Sequence, residues 1–184
     1  MKTYVALLRG INVTGHNKIK MIELKSLFIN LGFKNVTTYI QSGNVIFEAN
    51  KSDTKKIEEQ IISAAKNQFN YTINVLVITI DYLKTIFNSN PFLKREKIDI
   101  TKLHITLLKN EPNLESISQI KNLIKTNDDE FEILNKCVYL YCPNGYGKTK
   151  LNNNLFEKKL KSPATTRNWK TITKLIELSS LNIE

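Results

Sequence analysis

Val36-Thr37-Thr38-Tyr39-Ile40-Gln41-Ser42-Gly43-Asn44-Val45-Ile46-Phe47-Glu48-Ala49 decides the fold. Two runs rich in β-branched and aromatic residues, 36–40 and 45–49, flank the polar tetrad Gln41-Ser42-Gly43-Asn44. Such side chains suit a pleated, half-buried surface. Ser-Gly between them reads as a tight hairpin turn, because glycine accepts the positive φ that such turns require. Working outward, Met21, Leu24, Leu27, Phe28 and Leu31 recur at helical spacing, and Gly32 supplies the stop. Before them, residues 4–8 form a compact apolar run that reads as a buried strand. After the hairpin, Ser52 or Asp53 can cap a helix carrying Ile57, Ile61, Ile62, Ala65 and Phe69. Residues 73–80 are a β-branched strand.

The order β-α-β-β-α-β is the ferredoxin-like pattern. Both helices have one apolar stripe, so both are expected on one face of a four-stranded antiparallel sheet. The rest of the chain repeats the theme. Asp81 is expected to cap a short helix through Leu83, Ile86 and Phe87 that ends before Pro91. A charged connector, 92–102, leads to a strand at 103–108. Leu114, Ile117, Ile120 and Leu123 mark a helix, and 131–134 and 138–142 form a hairpin turning at Asn135-Lys136. A helix near 151–160 is ended by Pro163. Thr165 or Thr166 is expected to cap a last helix bearing Trp169, Ile172 and Ile176. The expected class is α+β, with two ferredoxin-like halves at 1–80 and 81–184 packed as one unit. The second half has a helix where a fourth strand would close the repeat.

A chain of 184 residues buries roughly two thirds of its unfolded surface and needs no disulfide or metal staple. No stretch approaches the ~20 apolar residues of a membrane span. The N-terminal apolar run is too short for a signal peptide, so a cytoplasmic protein with no membrane partner is expected. Cys137 and Cys142 have odd spacing, which puts them on opposite faces of one strand and leaves them unpaired. The net charge is +10. Between Lys148 and Lys174, eight cations stand against Glu157 alone, a local net of +7. Such a patch attracts phosphates or acidic partners; a solvated lysine surface is the plain alternative.

Two polar, glycine-punctuated stretches carry the candidate site: residues 9–18 and 41–44. In a β-α-β-β-α-β lobe, the loop after strand one and the hairpin between strands two and three emerge at the same end. This brings Arg9, Gly10, Asn12, His16 and Asn17 beside Gln41, Ser42 and Asn44. Amides, a hydroxyl, a planar guanidinium and accessible backbone N–H groups suit a carboxylate or phosphate better than an apolar ligand. The alternative is that the amides merely tie the hairpin to the loop. The expected function is binding of a small anionic or phosphate-bearing ligand. An enzyme using His16 as acid or base and nucleic-acid binding through the basic C-terminal segment are the other two readings. No residue pattern names a cofactor.

Gly147-Lys148-Thr149 mimics the end of a phosphate-binding P-loop, but Cys142 stands where that motif needs glycine. A weaker anion site at Gly145, Gly147, Lys148 and Thr149, joined by Arg167 and Lys170, is compatible with a helix start beside cations. Ser42 lacks the flanking glycines of a nucleophile elbow. Two histidines and two cysteines lack zinc spacing. Asp128-Asp129-Glu130 reads as a solvated turn, so no carboxylate pair stands out. Residues 45–49 lack the exposed aromatics of an RNA-binding sheet.

Leu8-Arg9-Gly10-Ile11-Asn12-Val13, Tyr39-Ile40-Gln41-Ser42-Gly43-Asn44-Val45, Gly145-Tyr146-Gly147 and Thr166-Arg167-Asn168-Trp169 together resemble a bacterial family, domain of unknown function 1697 (DUF1697). Family members often have Gly-Gly after Ile-Asn-Val, where this chain has Thr14-Gly15. The resemblance implies an intracellular α+β protein and assigns no activity.

Overall fold

A computed structural model of the protein describes residues 1–13, 17–50, 53–123 and 128–181. The described residues form two compact units. One comprises Met1–Thr85 with the end of the chain from Lys174, and the other Ile86–Thr173.

The first unit follows the β-α-β-β-α-β order: β1 (Lys2–Arg9), α1 (Met21–Asn30), β2 (Lys34–Tyr39), β3 (Asn44–Ala49), α2 (Thr54–Phe69) and β4 (Asn74–Thr79). The sheet order is β2-β3-β1-β4, antiparallel at every pairing. Alternation along β1 sends Tyr4, Ala6 and Leu8 to one face. There they share a core with Leu24, Leu27 and Phe28 of α1 and with Ile57, Ile61 and Ala65 of α2. Both helices therefore cover the same face, as their stripes require. Phe47 is the aromatic centre of this core, with its ring 5.7 Å from Tyr4, 5.3 Å from Phe28 and 4.6 Å from Phe33. Such pairs add about 0.5–1.5 kcal/mol each beyond area burial.

Local chemistry sets the ends. Gly32 adopts φ 84° after α1. Asp53 caps α2 by accepting from the N–H groups of Lys55 and Lys56 at 3.0 and 3.4 Å; Ser52 lies outside the described residues. Strand β2 stops at Tyr39 because Ile40 takes φ 49°, so the turn starts one residue earlier than expected. The edge strand β4 is covered by α2: the Glu58 carboxylate accepts the Val77 N–H at 2.9 Å.

In chain order the next element is α3 (Ile80–Asn88). It begins directly after β4, and Thr79 rather than Asp81 takes the capping role, its hydroxyl accepting from the Tyr82 N–H at 3.2 Å.

The second unit contains β5 (Leu103–Leu108), α4 (Leu114–Leu123), β6 (Glu130–Leu134), β7 (Cys137–Tyr141), α5 (Asn153–Leu160) and β8 (Ala164–Asn168), and α6 (Trp169–Leu181) follows. The fold class expected from sequence is therefore correct, and one element of it changes. A fourth strand does close the second repeat. Thr165 and Thr166 lie in β8, which pairs with β5 from His104↔Asn168 to Leu108↔Ala164. Neither threonine caps the last helix; Asn168 does, accepting from the Thr171 N–H at 2.8 Å. The sheet order β6-β7-β5-β8 repeats that of the first unit. The edge protection repeats too: Glu157 of α5 accepts the Ala164 N–H at 3.0 Å. An unpaired edge N–H is thus satisfied by a helix carboxylate in both halves.

No described helix is long and apolar enough to cross a membrane.

Candidate functional site

The loop after β1 and the β2–β3 hairpin meet at one end of the first sheet. The Leu8 N–H donates to the Gly43 carbonyl at 2.7 Å. The Asn12 carboxamide donates from Nδ2 to Gln41 O and to Ile19 O, both at 2.9 Å, and its Oδ1 accepts from the Ile19 N–H at 2.9 Å. One side chain therefore binds hairpin, loop and the approach to α1 together. Asn12 reaches this position with φ 54°, a region asparagine tolerates better than most side chains. Asn17, with φ 48°, donates from Nδ2 to Gly10 O at 2.7 Å. The buried Asn44 donates to Tyr39 O at 3.0 Å and to the Ser42 hydroxyl at 2.9 Å.

These bonds answer part of the question raised by the sequence. Asn12, Asn17 and Asn44 use their amides to hold the two loops in shape. Both Nδ2 hydrogens of Asn12 are engaged by protein carbonyls. Arg9 is the last residue of β1, half-buried and opposite Asn74 of β4. His16 lies outside the described residues, with Thr14 and Gly15.

Beside this scaffold is a groove of about 400 Å³. It is lined by Asn12 and Gln41 from the two loops, by Lys18, Ile19 and Lys20 from the approach to α1, and by Met21 and Glu23 from the first turn of α1. Of the residues expected from sequence, Asn12 and Gln41 line it. Arg9, Gly10, Asn17, Ser42 and Asn44 contribute to the framework and are not among its lining. Lys18, Lys20 and Glu23 were missed. The signal was present: two lysines directly before a helix start form an electropositive entry, because the first turn of a helix already exposes N–H groups. The N-cap residue Lys20 provides no side-chain acceptor for those groups. Lys20 Nζ and Glu23 Oε1 are 4.0 Å apart with side chains 81% and 44% exposed, a loose pair free to rearrange around a ligand.

The secondary anion candidates are arranged differently. Gly145 has φ 90° and opens a 3-10 turn, Tyr146–Lys148. Thr149 points inward, its hydroxyl donating to Asp129 at 2.6 Å and accepting from the Leu151 N–H at 3.0 Å. Asp129 is buried, which corrects the expectation of a solvated turn at 128–130; Glu130 is in β6, where Arg95 holds it through two bonds of 2.7 Å. Arg167 lies in β8, half-buried, and donates to Thr166 O at 2.9 Å. Burial pushes its pKa down to about 10. Lys148 and Lys170 are exposed. Nearby, His104 stacks on Tyr146 with ring centres 4.8 Å apart, and burial lowers its pKa. Cys137 and Cys142 are both buried free thiols; burial, with Asp129 adding to it, pushes the Cys142 thiol up to about 11. A thiol so protonated is a poor nucleophile at neutral pH. Among the described residues no three His, Cys, Asp or Glu side chains gather as a metal site would need.

Comparison with known proteins supports the architecture. The structure of the conserved bacterial protein SP0830 from Streptococcus pneumoniae superimposes with a TM-score of 0.71 at 23% sequence identity, covering 97% of this chain and 98% of that one. At that identity the likeness shows the fold alone. Among curated proteins no relative matches. The family profile described as "Protein of unknown function (DUF1697)" matches residues 1–139, which include the whole first unit up to Thr85 and the loops around the groove. By that match, the chain belongs to the DUF1697 family.

Proposed function

We propose that the protein binds a small phosphate-bearing ligand in the groove at the end of the first sheet. The observation behind this reading is the convergence of Lys18, Lys20 and the first turn of α1 on one cavity of about 400 Å³. Small-molecule sites commonly occupy ~300–1,000 Å³. Two ammonium groups and a helix N-terminus favour a negatively charged group, and Gln41 adds an amide with both donor and acceptor capacity. Rigid support is a second requirement of a binding site, and the Asn12 network meets it. We take the protein to act in the bacterial cytoplasm, where its two buried thiols would remain reduced.

Calorimetric titration with inorganic phosphate tests the reading. Wild type is expected to saturate, and a Lys18→Ala/Lys20→Ala double variant to lose at least tenfold in affinity with an unchanged circular dichroism spectrum. Equal affinity in the two proteins would remove the groove as the site. Fractionation of cells that express the protein tests the cytoplasmic part.

A further inference from the structure

The groove is not uniformly positive. Glu23 lines it together with Lys18 and Lys20, and its carboxylate lies 4.0 Å from Lys20 while remaining 44% exposed. A site shaped only for a bare anion gains nothing from a carboxylate in its wall, since like charges repel. The cavity is also far larger than one phosphate group fills. From the hairpin, Gln41 brings an exposed side-chain amide to the same lining, its backbone carbonyl held by the bond from Asn12. The groove therefore offers cations and acceptors in one lining: Lys18 and Lys20 with Glu23, whose carboxylate neighbours Lys20, and the Gln41 amide oxygen.

Building on the phosphate-binding reading, we infer that the ligand is two-ended: a phosphomonoester that also bears an ammonium or hydroxyl donor, with the phosphate held by Lys18 and Lys20 and the donor by Glu23. Glu23 has a plain alternative role. In the first turn of α1 it favours the helix simply by facing the positive end of the dipole. The two roles separate experimentally, because the helix role affects stability and leaves ligand ranking untouched.

Four probes are titrated into wild type and Glu23→Gln: inorganic phosphate, ethyl phosphate, phosphoethanolamine and glycerol 3-phosphate. Ethyl phosphate matches the other two organic probes in its phosphate and lacks the donor. Wild type should prefer phosphoethanolamine or glycerol 3-phosphate over ethyl phosphate by about fivefold, the upper range for a solvent-exposed charge pair. Whichever of the two leads tells ammonium from hydroxyl. In Glu23→Gln that preference should vanish while ethyl phosphate binds as well or better, since a repulsive charge is gone. A Glu23→Lys variant should go further and rank ethyl phosphate first. If all organic probes bind alike in every variant, or if Glu23→Gln changes only the melting temperature, the two-ended ligand is refuted and the phosphate site stands. If no probe binds wild type, the underlying phosphate reading fails with it.

Discussion

Gly43 and Leu8 are locked together across the end of the first sheet. The Leu8 N–H donates to the Gly43 carbonyl at 2.7 Å, and a Cβ built on Gly43 would stand 2.7 Å from Leu8 Cβ and 2.8 Å from Ile11 Cδ1. Gly43 also has φ 76°. Glycine is required here twice over, by the backbone and by the space.

Gly43→Ala is therefore expected to destabilise the protein by about 2–5 kcal/mol, from about 1–2 for the left-handed backbone and about 1–3 for overpacking. Denaturant unfolding measures it. A loss under about 0.5 kcal/mol, the usual bound for surface changes, would show that the hairpin is free to move away from Leu8.

Asn12 and Arg9 should differ in what they support. Asn12→Ala removes three hydrogen bonds and should cost about 1–3 kcal/mol, the penalty of leaving partly buried partners unmade. Arg9→Ala should leave phosphate affinity within about twofold, because Arg9 is not among the residues that line the groove and screened charges outside a site contribute little. A tenfold loss of phosphate affinity in Arg9→Ala at unchanged stability would move the site from the groove to β1.

Glu58 and Glu157 each accept an edge-strand N–H, from Val77 and Ala164. Replacing either glutamate with alanine should expose that amide and cost about 1–3 kcal/mol. Hydrogen exchange reads the effect locally: Val77 should lose protection in Glu58→Ala and Ala164 in Glu157→Ala. Retained protection at both would mean that other groups satisfy these edges.

Acid should weaken the second unit through His104. Burial lowers its pKa below the ordinary 6.5, against a smaller opposing effect of the Lys102 carbonyl 3.2 Å from Nδ1. The unfolded chain therefore binds the proton more readily. The His104 contribution is whole above pH 6.5 and is lost as pH falls from there through the lowered folded value, with a slope of at most about 1.4 kcal/mol per pH unit. Glu130, lowered from 4.5 by its bond to Arg95, acts only in a more acidic window. His104→Phe keeps a ring against Tyr146 and should flatten the stability profile just below pH 6.5. An unchanged profile in His104→Phe would assign the acid sensitivity elsewhere.

Much of the fold is legible in the residues because the helix stripes and the hairpin have strong periods and a glycine at the turn. Strand β8 was not. Ala164-Thr165-Thr166-Arg167-Asn168 is five residues long, lies at a sheet edge and follows a proline, so it lacks an alternating apolar pattern. Its pairing depends on tertiary partners, among them the Thr106–Thr166 hydroxyl contact of 2.6 Å and the bond from Thr166 to Asn153 at 2.7 Å. Threonines before a helical stripe look like caps when those partners are unseen. The meeting of the two loops followed from topology alone. Which polar side chains would be consumed within the loops did not, because Asn12 and Asn44 choose their partners only once the chain has closed. Lys18, Lys20 and Glu23 became visible as groove residues only when the start of α1 was set beside Gln41.

A crystal structure grown in phosphate tests the central claim most directly. The account predicts tetrahedral density between Lys18 and Lys20 at the first turn of α1, absent from crystals of the Lys18→Ala/Lys20→Ala variant grown in the same solution. A groove empty of phosphate at saturating concentration, with the anion instead at Lys148 or Lys170, would contradict it.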